Sequence, residues 1–233
     1  MKRYIIIVLV SYSIILYAGT CVQEHMSKIN GYYNMSPHAM IEEGRSLLKE
    51  GDLVVRLNRD PSSRFIKYFN HHDKSYSHSG IVLFDHGYPY VYHIIDGEEN
   101  PDGKLRIDSL NRFCNSRKNI AYGIFRYEMS GAEIRKLKNV MNKYYAKGIQ
   151  FDEAFNFTSD DKMYCSEMVS KALKDATGKR ISIEPTQLST IEAGFLSAYT
   201  HLPFSYTSKL KVISIDDLYA NSFCHLVKRY TFN

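Results

Sequence analysis

The sequence predicts an α+β domain in which an antiparallel sheet packs against helices. The apolar stretches Gly80–Phe84 and Tyr88–Ile95 flank a three-residue turn, which is the pattern of a β-hairpin. Ser130–Glu133 forms a capping box ahead of apolar residues at helical spacing, and Gly148 is a typical helix stop. Neither a long linker nor an internal repeat interrupts the pattern. We therefore expect residues 36–233 to form a single domain.

The elements before the hairpin follow from local signals. Ser36 and Pro37 suit the N-cap and the first position of a helix, which we expect to end at Gly51. Asp52–Arg56 is rich in apolar and β-branched residues, which indicates a short strand. The segment Asn58–Lys74 is polar and irregular, with enough apolar residues for one short helix.

The elements after the hairpin alternate in the same way. Asp96–Gly103 is predicted as a loop, because it consists of charged and turn residues, and Ile120–Arg126 is predicted as a strand. A helix is predicted from about Tyr164 to Thr177, with Cys165 one turn before Val169 on its apolar side. Cys165 should therefore face the protein body. The tail is predicted as a partly helical stretch followed by two strands: Pro185–Ala198, Leu210–Ile213 and His225–Tyr230.

The composition argues for a folded chain and against nucleic acid as a partner. Of the 233 residues, 44% are hydrophobic, which is enough to bury one core. The formal net charge is +5, but the Lys and Arg residues are scattered rather than clustered in one segment. Attraction to an anionic wall polymer or lipid surface is compatible with this charge, as is an ordinary solvated surface.

The N-terminus resembles an export signal. Lys2 and Arg3 precede an uncharged run from Tyr4 to Leu16, and small residues follow, so residues 1–20 are predicted as a signal peptide. The run is shorter than the roughly 20 apolar residues of a membrane-spanning helix. Cys21 directly follows, where a bacterial lipoprotein would carry its acylated first residue. We therefore expect export to the periplasm or cell envelope, with membrane attachment through a lipidated Cys21 left open.

Three cysteines remain after Cys21, so an exported chain must keep at least one free thiol. Cys165 lies at the predicted start of a helix, where unsatisfied N–H groups and the helix dipole favour thiolate over thiol. By itself it fits a small buried residue, which is what most free cysteines are. Cys114 and Cys224 have no such placement and could be core residues or a disulfide pair.

His78 gives Cys165 a chemical partner. It lies in Ser77–Gly80 at the mouth of the predicted hairpin, about ninety residues before Cys165. A histidine at a strand mouth and a cysteine at a helix start are the two groups that a papain-type thiol hydrolase needs, and a nearby histidine can complete an ion pair with the thiolate. The histidine precedes the cysteine here, which is the reverse of the papain order.

The four segments in which these residues lie resemble the permuted NlpC-type papain-like enzymes of the YaeF/YiiX group. The resembling segments are Gly51-Asp52-Leu53, Ser77–Leu83 around His78, Lys147–Asp152, and Tyr164–Val169 around Cys165. The resemblance covers roughly residues 50–176. It implies a circularly permuted papain-like core, in which the histidine strand precedes the cysteine helix, and it implies a cysteine amidase or peptidase.

The resemblance also implies further site residues. A polar group on the strand after the histidine strand orients the imidazole, and that position falls on His93, with Glu98 and Glu99 as less suitable substitutes. A histidine there can accept a hydrogen bond from the imidazole and fix its tautomer. The Cys165 N–H and the Tyr164 hydroxyl are candidates to stabilise the oxyanion. Phe151 and Asp152 are candidates to shape the cleft, although Asp152 also fits a loop or cap position.

The expected function is hydrolysis of an amide through a thioester on Cys165, with His78 as the general base and His93 as the third member. Exported relatives with this core commonly act on cell-wall peptides, so peptidoglycan stem peptides are the expected substrate. A lipid acyl hydrolase, acyltransferase or thioesterase is the main alternative, and a binding module without turnover is the second. The sequence does not indicate the oligomeric state.

A metal centre is not expected, and neither is another cofactor. Several histidines lie close together in the sequence, at positions 71, 72, 78, 86 and 93. None of them forms the spacing of an HExxH motif, and the cysteines form no paired CxxC.

Overall fold

The structure is a computed structural model that describes residues 35–98 and 100–232. The chain divides into two units, Met1–Met40 and Ile41–Asn233. All elements of the candidate site belong to the second unit. The predicted signal peptide and Cys21 lie outside the described residues.

A six-stranded antiparallel sheet forms the centre of the second unit. Its strands are β1 Leu53–Asn58, β2 His78–Asp85, β3 Tyr88–His93, β4 Arg106–Ser109, β5 Asn119–Tyr127 and β10 Cys224–Thr231. They lie in the order β10-β5-β1-β2-β3-β4. Two small two-stranded sheets complete the described strands: parallel β6 Gln150–Phe151 with β7 Lys162–Met163, and antiparallel β8 Thr186–Gln187 with β9 Lys211–Val212.

Helices of very different length accompany the sheet. They are α1 Pro37–Leu47, α2 Pro61–Ile66, α3 Leu110–Phe113, α4 Gly131–Lys147, α5 Cys165–Ala176, α6 Thr190–Thr200 and α7 Phe204–Thr207, with short 3-10 helices at Lys67–Phe69 and Asp216–Leu218. Among the described residues, no helix has the length and apolar character needed to cross a bilayer.

The main core lies between the sheet and the two longest helices. Leu83 of β2, Leu137 of α4 and Met168 of α5 are buried in one cluster. A fully buried side chain of this kind contributes on the order of 1.5–3 kcal/mol through removal of apolar surface from water. This packing fixes α5 against β2, and the two elements begin with Cys165 and His78 respectively.

The α+β class and the antiparallel sheet predicted from the sequence are confirmed. The hairpin turn has two residues rather than the predicted three, because Asp85 pairs with Tyr88. It runs through His86 and Gly87, whose φ angles of 47° and 82° are the left-handed pair of a tight turn. The capping box of Ser130 and Glu133 is present, and Gly148 ends α4 with a φ of 64°. The first helix ends at Leu47 rather than at Gly51, and the sequence did not predict β4 or α3.

The three cysteines of the second unit are free thiols. Cys114 is fully buried at the end of α3, and Cys224 is partly buried at the start of β10. The disulfide alternative for this pair is therefore not present in the structure. Burial raises the pKa of Cys224 to about 12, and burial raises the pKa of Cys114 even further.

Candidate active site

Cys165 is the first residue of α5, is 8% exposed and lines a cleft. The backbone N–H groups of Ser79, Ser166 and Cys165 itself act to lower the pKa of its thiol. The helix start therefore supplies the N–H donors that the sequence suggested. Burial nevertheless raises the pKa of the Cys165 thiol above its usual value, and the N–H donors only partly oppose that shift.

Ser79 is a second neighbour of the sulfur that the sequence did not single out. It follows His78 in β2 and is fully buried. Among the described residues its hydroxyl has no hydrogen-bond partner. Its backbone N–H and its hydroxyl lie near the Cys165 thiol and act to lower the pKa of that thiol. Ser79 therefore contributes both an N–H and an O–H to the surroundings of the sulfur.

His78 begins β2 and lines the same cleft as Cys165. Its Nε2 lies 3.0 Å from Nδ1 of His93, so Nδ1 is the ring nitrogen that remains for chemistry. The ring packs beside Phe113 with a centroid distance of 5.6 Å. Burial, the charge of Arg56 and the neighbouring His93 hold the pKa of His78 well below its usual range. The imidazole is therefore neutral near pH 7.

His93 connects His78 to a buried carboxylate. Its Nε2 lies 3.1 Å from Oδ2 of Asp108, while Arg106 and Arg112 each approach the other carboxylate oxygen at 3.4 Å. Burial lowers the pKa of His93 to about 4, and the hydrogen bond with Asp108 only partly opposes that shift. Burial alone would raise the pKa of Asp108, but its contacts with His93 and the two arginines hold it below its usual value.

These contacts fix the tautomers of both histidines. An ionised Asp108 can only accept, so His93 carries its proton on Nε2 and presents a bare Nδ1 to His78. His78 then donates from Nε2, and its own Nδ1 is left without a proton. The chain His78–His93–Asp108 therefore prepares a neutral base at the cleft.

The sequence missed Asp108 because its position depends on strand pairing. In the β3–β4 register, His93 lies opposite Arg106 and Val91 lies opposite Asp108. Asp108 is thus the diagonal neighbour of His93 on the same face, which is within reach of long side chains. β4 has only four residues, and no local pattern in the sequence predicts that it pairs with β3.

Gly80 explains how the two histidines come so close. A Cβ atom at this position would lie 2.6 Å from Cγ1 of Val91 and 2.9 Å from the carbonyl oxygen of Tyr92. Any larger residue would therefore push β3 away from β2. The glycine that follows His78 and Ser79 in the sequence serves the close pairing of these strands.

The predicted pocket residues take two different places. Tyr164 and Phe151 line the cleft, and the Tyr164 hydroxyl accepts the Ile213 N–H at 3.0 Å. This hydrogen bond therefore connects the backbone at Ile213 to the start of α5. Asp152 is buried in a loop, where its carboxylate accepts the N–H groups of Ala154 at 3.0 Å and Asn156 at 2.5 Å.

Glu167 stabilises the first turn of α5. Its carboxylate accepts the Tyr164 N–H at 3.2 Å and forms an ion pair with Lys171 at 2.9 Å. Burial raises the pKa of Glu167 to about 7, and the contact with Lys171 limits the shift. The residue holds the helix start, and with it Cys165, in place.

The cleft has a volume of about 1010 Å³, with an apolar wall and a charged rim. The wall is apolar and aromatic, with side chains from Phe69, Phe151, Phe155, Leu196, Tyr199 and Val212. The rim carries charged groups at Asp60, Asp96, Glu98, Lys118 and Glu153. Such a cleft can hold a substrate that has both an apolar part and a cationic part.

His71, Asp216 and Asp217 are the one group of described residues that brings metal-binding atoms together, within 4.8 Å of one another. The carboxylate of Asp216 already accepts the N–H groups of His71, His72 and Asp73 and the hydroxyl of Ser214. Its oxygens are used to tie two loops together, so this set fits a structural role better than a metal centre.

Two comparisons relate the chain to proteins of Escherichia coli. The uncharacterized protein YiiX of strain K12 is 29% identical over 133 residues, which cover 56% of this chain and 60% of that protein. The crystal structure of the metalloprotein yiiX from strain O157:H7 has the same fold, with a TM-score of 0.64 and 22% identity. That match covers 78% of this chain and 98% of the other.

Residues 47–213 match the family described as permuted papain-like amidase enzymes, YaeF/YiiX, C92. The matched region contains Cys165, His78, His93 and Asp108, and it supports a cysteine hydrolase on this fold. The permuted order, in which the histidine strand precedes the cysteine helix, agrees with the family description. The chain therefore belongs to the family of permuted papain-like amidases, the YaeF/YiiX or C92 family.

Proposed function

We propose that this protein is an exported cysteine hydrolase that cleaves amide bonds, with cell-wall stem peptides as its substrates. One observation carries the proposal. The hydrogen-bonded chain His78–His93–Asp108 ends at the cleft that Cys165 also lines. A nucleophilic thiol and a base oriented from behind by a buried acid form the arrangement that acyl transfer requires.

The reaction begins from an uncharged pair. Because burial raises the pKa of Cys165 and lowers that of His78, the resting site holds a thiol and a neutral imidazole rather than the ion pair suggested by the helix start. His78 takes the thiol proton on Nδ1 as sulfur attacks the amide carbonyl carbon. The C–N bond then breaks, and the amine leaves with that proton.

Water completes the cycle. His78 removes a proton from water as the oxygen attacks the thioester, the C–S bond breaks, and sulfur regains the proton as the carboxylic acid is released. An oxyanion forms in both halves of the reaction. The Cys165 N–H at the start of α5 is one donor for it.

His93 and Asp108 act through His78. When His78 becomes an imidazolium, its Nε2–H is held by Nδ1 of His93, and the carboxylate of Asp108 balances the positive charge through the second ring. This arrangement supplies the negative charge that a histidine alone could not provide. We therefore assign both residues as positioning residues for the base.

The acidic rim supports a peptide substrate. Asp96, Glu98 and Glu153 can receive a free amine, and stem peptides carry such groups beside their amide bonds. Export is inferred from the charged start and apolar run of residues 1–20, which also leaves acylation of Cys21 open. An exported amidase would meet peptidoglycan as its nearest abundant amide.

A lipid-directed acyl hydrolase or acyltransferase is the second candidate, and the apolar wall favours it. Phe155, Leu196 and Val212 can accommodate an acyl chain beside Cys165. The chemistry at Cys165 would be the same, with an ester or thioester in place of the amide. Substrate choice, rather than mechanism, separates the two candidates.

The proposal is tested by offering both substrate types to the full chain. Stem tetrapeptides and short-chain phospholipids are incubated separately, and the products are identified by mass spectrometry. We expect amine release from the peptide, abolished in Cys165→Ser and His78→Ala and unchanged in Cys224→Ser. Acyl release from the phospholipid alone would replace the first candidate by the second. If neither substrate is hydrolysed and Cys165 is unreactive towards alkylating reagents, the protein is a binding module rather than an enzyme.

A further inference from the structure

Helix α6 exposes an apolar stripe next to the cleft. Ile191, Phe195 and Tyr199 are 72%, 59% and 45% exposed, and their spacing of four residues places them on one side of the helix. Ala193 and Leu196, on another side of α6, are buried in a core cluster. The helix is therefore apolar both towards the protein and towards solvent, which an ordinary surface helix is not.

The stripe continues onto α2 and the 3-10 helix that follows it. The ring of Phe65 stacks on Tyr199 with a centroid distance of 4.7 Å and approaches Phe195 edge-on at 6.4 Å. Tyr68, three residues after Phe65, is 62% exposed. We call Tyr68, Ile191, Phe195 and Tyr199, together with Phe65 between them, the aromatic patch.

Positive charge accompanies the aromatic patch. The Nζ atoms of Lys67 and Lys74 lie 5.9 and 5.6 Å from the centre of the Tyr68 ring. The one acidic residue of α6, Glu192, is engaged in the capping box with Ser189 at the helix start. Exposed aromatic rings beside lysines match the interfacial zone of an anionic bilayer, where amphipathic rings and basic side chains are favoured.

The aromatic patch is continuous with the cleft. Tyr199 belongs to both, and Ile66 and Phe69 of the α2 segment line the cleft from the same side. A surface that touched the aromatic patch would therefore lie at the mouth of the cleft that contains Cys165.

We propose that the aromatic patch docks on the surface of an anionic lipid bilayer. The exposed rings enter the headgroup region, and Lys67 contacts lipid phosphates. Lys74, whose Nζ donates to the carbonyl oxygens of Tyr68 and Asn70 at 2.9 and 3.1 Å, adds positive charge beside it. This site is separate from any acylation of Cys21, and it does not depend on catalysis at Cys165. It orients the cleft mouth towards the membrane, whatever bond the enzyme cleaves.

The chain contains no tryptophan, so one introduced tryptophan reports its own surroundings. Phe195→Trp places the reporter in the aromatic patch, and Tyr145→Trp places a matched reporter on α4 at a residue that is 51% exposed. Both full-length proteins are mixed with phosphatidylglycerol vesicles or with phosphatidylcholine vesicles. Because each reporter is local, attachment through the N-terminus cannot imitate insertion of the aromatic patch.

We expect a blue shift of Phe195→Trp emission and quenching by brominated lipid on phosphatidylglycerol, with no change for Tyr145→Trp. Adding Lys67→Gln should weaken vesicle partitioning roughly fivefold, as expected for one lysine near an anionic surface. Adding Cys165→Ser should leave the shift unchanged. Absence of the shift at Phe195→Trp, or equal shifts at both reporters, would overturn the proposal. Equal shifts of Phe195→Trp on both vesicle types would overturn its anionic selectivity.

Discussion

Replacing Asp108 with asparagine tests the role assigned to the far end of the histidine chain. The change keeps the size of the side chain but removes the negative charge that faces Nε2 of His93. An amide can also donate to that nitrogen, which would move the His93 proton to Nδ1 and set two donors against each other between His93 and His78. The base at the cleft would then lose its fixed tautomer.

The expected size of this effect follows from the contact that is lost. A hydrogen bond to a charged group contributes about 1.5–3 kcal/mol, and each 1.36 kcal/mol corresponds to a tenfold change in rate. Asp108→Asn should therefore lower the rate at which His78 activates Cys165 by roughly 10- to 150-fold. His78 itself remains in place, so some activity should persist.

The assay needs no knowledge of the substrate. Alkylation of Cys165 by iodoacetamide at pH 7 is followed by peptide mapping, with thermal unfolding as a check on the fold. Asp102→Asn is the matched control, because it removes the same charge from a loop residue whose side chain is 58% exposed. If Asp108→Asn folds normally and reacts as fast as Asp102→Asn, the relay through His93 is wrong.

Three further predictions concern residues around the same site. Ser79→Ala removes a hydroxyl that acts to lower the pKa of Cys165. If its effect is that of one hydrogen bond, about 0.5–1.5 kcal/mol, the pH midpoint of Cys165 alkylation should rise by roughly half to one unit. Because burial holds the pKa of His93 at about 4, below its ordinary 6.5, stability should be lost as the pH falls from 6.5 towards 4. In His93→Gln, the free energy of unfolding should fall by roughly 3 kcal/mol less over this pH range than in the wild type, as measured by denaturation curves. Gly80→Ala should destabilise the protein by about 1–3 kcal/mol in thermal unfolding, because its Cβ would meet Val91.

Each of these predictions has its own check. Ser170→Ala is the control for Ser79, because it removes a buried hydroxyl that donates to the Ile183 carbonyl at 3.1 Å, away from the sulfur. An equal pH midpoint in both serine variants would count against a role for Ser79. For His93, an unchanged pH dependence of unfolding in the glutamine variant would contradict a neutral buried imidazole. A fully stable Gly80→Ala would show that β2 and β3 can separate without cost.

Local signals were sufficient for much of the fold. The hairpin between β2 and β3, the capped helix α4 and the helix α5 were each predicted from residues adjacent in the sequence. In each of them the pattern that forms the element lies inside the element. Ser130 and Glu133 cap their own helix, and Gly148 ends it through its own backbone.

The parts that the sequence did not predict depend on contacts between distant segments. β4 has four residues and becomes a strand only because β3 lies beside it. Asp108 reaches His93 through that pairing, so no spacing along the chain could reveal it. The order of the motifs indicated that Cys165 and His78 would share one site, but not that Asp108 would support His78 through His93.

The charge state of the site also depends on burial, which the sequence does not measure. The helix start predicted a stabilised thiolate at Cys165. In the structure the N–H donors are present, yet burial of both groups favours an uncharged thiol and imidazole. The expected mechanism changes accordingly, from a standing ion pair to proton transfer during attack.

The most direct test of the central claim compares the alkylation rates of the free thiols in one sample. Burial raises the pKa of all three thiols, but of the three it is Cys165 that lines the cleft together with His78, so Cys165 should react fastest. His78→Ala should slow Cys165 by at least about 100-fold, the lower bound for a positioned general base, and leave Cys224 unchanged. Equal rates for the three cysteines, or no effect of His78→Ala, would contradict the assignment of Cys165 and His78 as nucleophile and base.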